Sequence, residues 1–231
     1  MKIVNVEQGS LEWHNAKLAK ISGTRLQEVM GTGYARAKLI AKLLAEEGTE
    51  QVKLGKTTDE MARGLAEEDY GIKLFEEKFG KKVDKVGLCV HDDKDWLVLS
   101  PDGLIKDEHG KYSEAVEIKS PNSETAIYYQ MLQKIDNKQL GITPAKAPFL
   151  GVPAEYKWQV VHYFIVNDDL KTLYFLVYDV RFIDDELKLN VVKVERENEL
   201  LLEAIGQAKE ALDEFRTDWQ AYKELILPSN F

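Results

Sequence analysis

The sequence predicts a single α/β domain with extensions, and three observations support this class. The chain has 231 residues, which is long for one ordinary domain and short for two. Its composition is 44% apolar and 31% charged, which is sufficient for a buried core and gives no sign of disorder. Short apolar runs typical of strands lie between longer stretches in which apolar residues recur at helical spacing.

Helical spacing occurs in three stretches. The first covers about residues 23–47. The second covers 57–79 and begins with Thr57 and Glu60, which are spaced as a capping box. The third is a long amphipathic C-terminal helix at about 198–227. Its aromatic residues fit either an intrachain core or a contact between subunits.

Strands are predicted where short apolar runs are bounded by turn residues, at 86–92, 96–100, 114–120, 171–180 and 188–195. Residues 136–154 are rich in Gly and Pro and predict a long loop, a kind of segment that is often functional. Residues 155–167 are ambiguous. Their composition favours a strand, whereas Pro153 would suit the first position of a helix.

The composition excludes several chemistries. With one cysteine, Cys89, the chain has no disulfide framework and no four-cysteine zinc or iron–sulfur site. Its four histidines and the lack of a nucleophile-elbow motif give little support to Ser/His/Asp or Cys/His catalysis. No apolar run reaches about 18 residues and no signal-peptide pattern is present. These features predict a cytoplasmic protein without a membrane partner.

The charge is unevenly distributed. The whole chain carries −9, which argues against unfocused nucleic-acid binding. Residues 13–42, however, contain six lysines and arginines and one acid, Glu28. This stretch therefore carries +5 and the remainder −14. It is either a solvated basic helix face or a focused binding surface.

One acid interrupts the apolar stripe of the second helix. Glu68 occupies the position that would complete the helical series, while Glu67 and Asp69 are predicted to point elsewhere. The apolar members of the series are Met61, Leu65, Ile72, Phe75 and Phe79. A buried carboxylate is unfavourable unless it is paired, hydrogen-bonded or bound to a metal. The alternative is a stripe that widens to solvent at this point.

A second set of charges lies in a predicted core strand. Glu117 and Lys119 are two residues apart and share one face of the strand. A hairpin returning from the Pro101-Asp102-Gly103 turn could bring Glu117 beside Asp102. Two close carboxylates suit a hard divalent cation, and the backbone carbonyl of Ile118 could add a neutral ligand. The alternative is an ordinary turn aspartate and an exposed Glu–Lys face on an edge strand.

The order of these motifs resembles a known family. Asp-(x14)-Glu-x-Lys with an upstream helical Glu is similar to the PD-(D/E)XK nuclease superfamily. More specifically, the chain resembles the phage lambda exonuclease, or YqaJ-type, alkaline exonucleases. The segments that carry this resemblance are VEQGSLEWHNAKLAKISGT (6–24), GLAEEDYGIKLFE (64–76), SPDGL (100–104), EIKSP (117–121) and Tyr-x-x-Gln-Val (156–160).

The resemblance implies a restriction-endonuclease-like α/β core, with a central mixed β-sheet flanked by helices and a long C-terminal helix. Residues 1–231 would form a single nuclease domain. Its parts would be an N-terminal helical DNA-contacting part at about 1–55, a catalytic core at about 56–195 and the helix at about 198–227. Residues 155–167 should then be helical, against their composition.

The resemblance also implies roles for individual residues. Asp102 and Glu117 would bind Mg²⁺, for which Mn²⁺ would substitute. Lys119 would position the attacking water, and Glu68 would support water or metal. Asp92 matches a further family acid and would support the site.

DNA contacts are implied at Lys17, Ser22, Thr24, Arg25, Arg36, Met61 and Gln159. Lys17 stands where the family commonly has an arginine, so the contact would lack the bidentate fork. Ser22 and Thr24 keep the hydroxyls of a family Thr-Ala-Ser element. Met61 could wedge between terminal bases, or could simply begin the core stripe. Arg25 and Arg36, with two nearby lysines, would line a DNA channel or grip the 5′ end.

The implied function is a toroidal homotrimer that digests the 5′ strand of linear double-stranded DNA. The resulting 3′ overhang would pass to a single-strand annealing protein in phage-type recombination. Two alternatives remain open at this point. One is a structure- or site-specific endonuclease of the same fold, and the other is a non-catalytic scaffold that binds DNA ends.

Overall fold

The described residues fold around two β-sheets. The computed structural model describes residues 1–51 and 59–228, with side chains from residue 62 onward in the second range. A three-stranded antiparallel sheet has the order β1 (Lys2–Val4), β2 (Leu88–Val90), β3 (Val98–Leu99). A four-stranded sheet has the order β4 (Gly103–Lys106), β5 (Tyr112–Lys119), β6 (Thr172–Tyr178), β7 (Leu189–Glu195). The second sheet is mixed, because β5 and β6 are parallel and the outer pairs are antiparallel.

Helices pack around these sheets. In the described ranges they are α1 (Leu11–Ala16), α2 (Gly23–Val29), α3 (Gly33–Thr49), α4 (Asp59–Phe79), α5 (Ser123–Lys134), α6 (Lys157–Val166), α7 (Asp185–Lys188) and α8 (Glu199–Ile226). Two short 3₁₀ turns lie at 144–146 and 154–156. The arrangement confirms the predicted α/β class with a central mixed sheet, flanking helices and a long C-terminal helix.

The helix predicted at 23–47 is two helices joined by a tight corner. Thr32 has an extended backbone and its hydroxyl accepts a hydrogen bond from the Ala35 N–H, which caps the start of α3. A Cβ at Gly31 would lie 3.2 Å from both the Ala35 Cβ and the Glu28 carbonyl oxygen, so the corner favours glycine. The capping box predicted at Thr57 and Glu60 lies outside the described residues and side chains.

The ambiguous segment 155–167 is helical, as the family resemblance implied. α6 follows Pro153 and the 3₁₀ turn at 154–156. Every residue from Val160 to Val166 is buried, because α6 packs against α2, α8 and β3. A helix enclosed on all sides needs no polar face, which explains its strand-like composition.

The predicted stripe of α4 is only partly correct. Ile72 and Phe75 are buried, but Leu65 is 73% exposed and Phe79 is 47% exposed. Glu67, which was predicted to point elsewhere, is buried. The buried face is centred closer to Gly71, where an added Cβ would lie 2.3 Å from the Ile118 side chain. The helix therefore approaches the sheet along its glycines rather than along its largest apolar residues.

The long helix α8 contributes to the main core. Phe215 and Trp219 are buried in it, whereas Tyr222 is about half exposed. The core interpretation is therefore confirmed for the first two aromatics and wrong for Tyr222. Among the helices of the described ranges, none combines the length and apolar character needed to cross a membrane.

Candidate active site

The sheet register brings the two predicted metal ligands together. Gly103 pairs with Val116 in the antiparallel β4–β5 ladder, so the residue before Gly103 lies across from the residue after Val116. These residues are Asp102 and Glu117. The hairpin that aligns them closes at 107–111, not at the Pro-Asp-Gly turn where the sequence placed it. The Pro-Asp-Gly segment instead joins the two sheets.

Glu117 is held by three side-chain donors. Its Oε1 accepts hydrogen bonds from the Lys119 ammonium and from the Gln159 amide, the latter at 2.6 Å. Its Oε2 accepts one from the Tyr163 hydroxyl at 2.5 Å. The Glu117 side chain is 1% exposed. A carboxylate offers about four acceptor positions, so this network fixes Glu117 while leaving room for one further ligand.

Asp102 is attached to the same strand. Its Oδ2 accepts a hydrogen bond from the Ile118 N–H at 2.7 Å. Burial, reinforced by the charge of Glu117, raises the pKa of Asp102 well above its usual value, and Lys119 offsets only part of this effect. Asp102 and Glu117 therefore form a pair of acids that repel one another in a shielded site.

Lys119 supplies the positive charge of the site. Burial alone would lower the pKa of Lys119, but the carboxylates of Glu117 and Asp102 outweigh it and raise that pKa above the usual lysine value. Its Nζ also lies 5.3 Å from the centre of the Tyr156 ring. Lys119 is thus a fixed ammonium beside the acids, suited to orienting a water or an anion.

Glu68, on α4, is electrostatically coupled to the site. Burial raises the pKa of Glu68, and the charge of Glu117 adds to the rise, while Lys85 opposes it. The Lys85 Nζ lies 3.6 Å from Glu68 and also pairs with Asp69. The predicted upstream acid is therefore partly buried and electrostatically coupled to the Asp102–Glu117 pair.

This donor set fits a hard divalent cation. Two acids and a coupled third face one ammonium, so a cation would relieve an excess of buried negative charge. Among the described residues, no three or more His, Cys, Asp or Glu side chains lie close enough together to hold a metal ion as a group. Asp102 and Glu117 would therefore hold the ion, with Glu68 at longer range. The carbonyl of Ile118 stays a predicted ligand.

The N-terminal segment holds the Asp102 turn in place, a role that the sequence did not reveal. The Gln8 amide donates to the Pro101 carbonyl at 2.8 Å and to the Val86 carbonyl at 2.9 Å. The Trp13 indole donates to the Ser100 hydroxyl at 3.0 Å. The Gln and Trp of the quoted 6–24 motif thus contact the residues immediately before Asp102.

A basic cavity of about 500 Å³ lies beside α2. Its lining includes His14, Lys17, Lys20, Ser22, Thr24, Arg25, Lys42 and Glu46. Burial, and then the charge of Arg25, lower the pKa of Lys17 to about 8. Arg25 pairs with Glu46 and donates to the Lys20 carbonyl at 2.7 Å. A Cβ at Gly23 would lie 3.1 Å from the Gln159 side chain. Gly23, which lies between Ser22 and Thr24, therefore adjoins the Glu117 network.

Two other predicted residues, Arg36 and Asp92, form ion pairs elsewhere among the described residues. Arg36 pairs with Glu214 at 3.4 Å and Asp218 at 3.8 Å on α8. Asp92 is exposed and accepts a hydrogen bond from the N-terminal ammonium at 2.6 Å. The structure therefore places both in ion pairs of their own. Met61 belongs to α4, but its side chain lies outside the described ones.

The mixed sheet, flanking helices and acid–acid–lysine site define the restriction-endonuclease-like class of α/β folds. Solved structures share this fold. An alkaline exonuclease (LHK-Exo) from Laribacter hongkongensis is 24% identical with a TM-score of 0.68, over 93% of this chain and 97% of that one. Its complex with dAMP gives the same values. A phage-related exonuclease from Haemophilus somnus 129PT is 14% identical with a TM-score of 0.58, over 90% and 95%.

The family follows from the sequence match. The model of the YqaJ-like viral recombinase domain matches residues 12–169, more than half of the chain. The chain therefore belongs to the YqaJ-like viral recombinase family, and the resemblance inferred from the motifs is confirmed. The matched range includes α1 from its second residue, the basic cavity and all of the acid–lysine site. Among curated proteins, no sequence matches significantly.

Proposed function

We propose that this protein is a divalent-metal-dependent exonuclease that digests the 5′ strand of linear double-stranded DNA. The observation that carries the proposal is the buried Asp102–Glu117 pair with Lys119 hydrogen-bonded to it and Glu68 coupled to it. Family membership and the fold shared with exonucleases support the same reading. The products would be 3′ single-stranded overhangs for recombination by strand annealing.

In this mechanism each residue has a defined task. A bound Mg²⁺, or Mn²⁺ in its place, would act as a Lewis acid and stabilise the charge that develops during phosphodiester hydrolysis. Asp102 and Glu117 would hold the ion. Lys119 stays protonated and orients the attacking water or the scissile phosphate. Gln159 and Tyr163 keep the Glu117 carboxylate in one orientation, and Glu68 would support the ion from longer range.

The basic cavity is the proposed site for the 5′ end of the DNA. Lys17 provides positive charge, and the hydroxyls of Ser22 and Thr24 can donate to phosphate oxygens. Arg25 would join them only by exchanging its pair with Glu46 for the phosphate. The close approach of Gly23 to Gln159 supports this assignment, because Gln159 also bonds to Glu117. If the 5′-terminal phosphate binds in this cavity, the distance from the cavity to the acid–lysine site fixes the number of nucleotides between that phosphate and the scissile bond.

Assembly and partners complete the proposal. A homotrimeric ring, acidic outside and basic within, would focus positive potential on threaded DNA while the chain as a whole carries −9. The 3′ overhang would be delivered to a single-strand annealing protein in the cytoplasm of a bacterial host. Light scattering should then give a mass of three chains, and a monomeric mass would overturn the ring.

The test uses linear duplex DNA labelled separately at its 5′ and 3′ ends. Reactions contain Mg²⁺ or EDTA, and covalently closed circular DNA of the same sequence serves as control. The expected result is Mg²⁺-dependent release of 5′ label with the circle intact. Release of 3′ label first would reverse the proposed polarity.

Two other results would replace the proposal. Cutting of the closed circle would identify a structure- or site-specific endonuclease, which the shared fold also permits. Binding of DNA ends without turnover by folded protein would identify a scaffold. The intact Asp102, Glu117 and Lys119 set argues against a scaffold, since such a protein has no need of a buried acid pair.

A further inference from the structure

Two arginines grip the backbone just beyond the catalytic strand. The β5–β6 ladder ends at Lys119, which pairs with Val177. The next two carbonyls accept hydrogen bonds from guanidinium groups. Arg63 on α4 donates to Ser120 at 3.1 Å, and Arg181, after β6, donates to Pro121 at 2.9 Å. The chain that follows Lys119 is therefore fixed from two different elements.

Each arginine is oriented by a buried acid. The guanidinium of Arg181 makes two hydrogen bonds to Asp179, at 2.7 and 2.9 Å, and the Asp179 side chain is fully buried. Glu67 lies 3.7 Å from the Nε of Arg63. Neutral pairs of this kind are poor anion sites, because each positive charge already has its counter-charge. The guanidinium groups instead donate to backbone carbonyls and hold the chain in place.

The Arg63 contact fixes one of two points at which α4 meets the sheet. At Gly71 the helix packs directly on Ile118 and Tyr178. At Gly64, two turns or roughly 10 Å earlier, an added Cβ would lie 4.0 Å from the Ser120 side chain. Glu68 lies between these points. A shift of α4 at its Gly64 end would therefore move Glu68 relative to Glu117.

We propose that Arg63 is a positioning residue that sets the distance between the α4 acid and the β5 acids by tethering α4 to Ser120. Arg181 holds the other side of the same backbone at Pro121. Arg63 and Glu67 each keep a buried polar atom without a hydrogen-bond partner, Nε and Oε2. A buried polar atom without a hydrogen bond is unfavourable for stability, even where the two charges offset one another. The presence of the Arg63–Glu67 pair in spite of this cost is consistent with a role in positioning α4. This inference rests on the proposed function of the site.

The test compares Arg63→Met with Arg63→Lys and with Lys73→Met. Lys73→Met removes the same charge from the same helix at an exposed position, where Lys73 makes a long surface pair of 4.0 Å with Glu77. Three readouts are taken: kcat at saturating DNA as a function of Mg²⁺, Mn²⁺ affinity without DNA by paramagnetic resonance, and hydrogen exchange of the peptide covering 114–123.

Arg63→Met should lower kcat about 10- to 100-fold, since misplacement by about 1 Å can have an effect of this size. It should also weaken Mn²⁺ binding roughly several-fold, because the carboxylates that bind the ion are displaced. Hydrogen exchange in the peptide 114–123 should become faster. Arg63→Lys should be intermediate, and Lys73→Met should match wild type. Unchanged kcat, Mn²⁺ affinity and exchange in folded Arg63→Met would overturn the tether. If wild type itself hydrolyses no DNA, the nuclease proposal fails, whereas the Mn²⁺ and exchange readouts still decide the tether.

Discussion

The hydroxyl of Tyr163 offers the sharpest test of how Glu117 is organised. Tyr163→Phe removes one oxygen from a fully buried side chain and with it the 2.5 Å hydrogen bond to Glu117 Oε2. Hydrogen bonds to charged groups contribute about 1.5–3 kcal/mol. The free energy of unfolding should therefore fall by about 2 kcal/mol. If the freed carboxylate turns, the same energy corresponds to a kcat lower by about 10- to 100-fold.

The assay is single-turnover hydrolysis of a labelled duplex at saturating enzyme, alongside urea unfolding. Tyr112→Phe is the matched control. It removes the same atom from a 3.0 Å hydrogen bond to a carboxylate, that of Asp84, at the other end of β5. The control should lose stability but keep its rate. Wild-type turnover in Tyr163→Phe would refute the reasoning, because Glu117 would then be oriented without the hydroxyl.

Three further predictions follow from the charges. Asp102→Asn should lower turnover by more than about 10³-fold. It should also raise the melting temperature in EDTA, because the repulsion between Asp102 and Glu117 disappears. Burial lowers the pKa of His162 to about 4. The His162 imidazole therefore stays neutral in the folded protein, whereas in the unfolded chain it takes up a proton near pH 6.5. The free energy of unfolding should thus fall by about 3 kcal/mol as pH drops from about 6.5 to 4. In urea titrations of His162→Gln, this decrease should be absent. With a pKa of about 8, Lys17 loses its charge as pH rises, so the preference for 5′-phosphorylated over 5′-hydroxyl ends should decline between about pH 7 and 9, and Lys17→Arg should retain it.

The charged centre of the site could be predicted because its geometry is local. Strand periodicity places Glu117 and Lys119 on one face, and a short hairpin is enough to bring Asp102 across from them. On α4 the same local logic singled out Glu68, but it centred the buried face wrongly and missed the burial of Glu67. These inferences needed only the spacing of residues within two neighbouring elements.

The rest of the site depends on contacts between distant segments. Tyr163 is more than forty residues from Glu117, and its segment has the composition of a strand, so nothing local marks its hydroxyl as a partner. Glu67 looked like a surface residue because the stripe was centred on large side chains rather than on Gly71. Arg36 looked like a free cation because its partners lie on α8, far along the chain.

The order in which these parts occur along the chain has a consequence for biosynthesis. Glu68, Asp102, Glu117 and Lys119 all precede α6, which carries the two groups that lock Glu117. A ribosome synthesises all four charged groups well before Gln159 and Tyr163. A growing chain would therefore hold loose acids but no ordered site until the helix docks. A protein that degrades DNA would in this way gain its activity only after α6 has been synthesised and has docked.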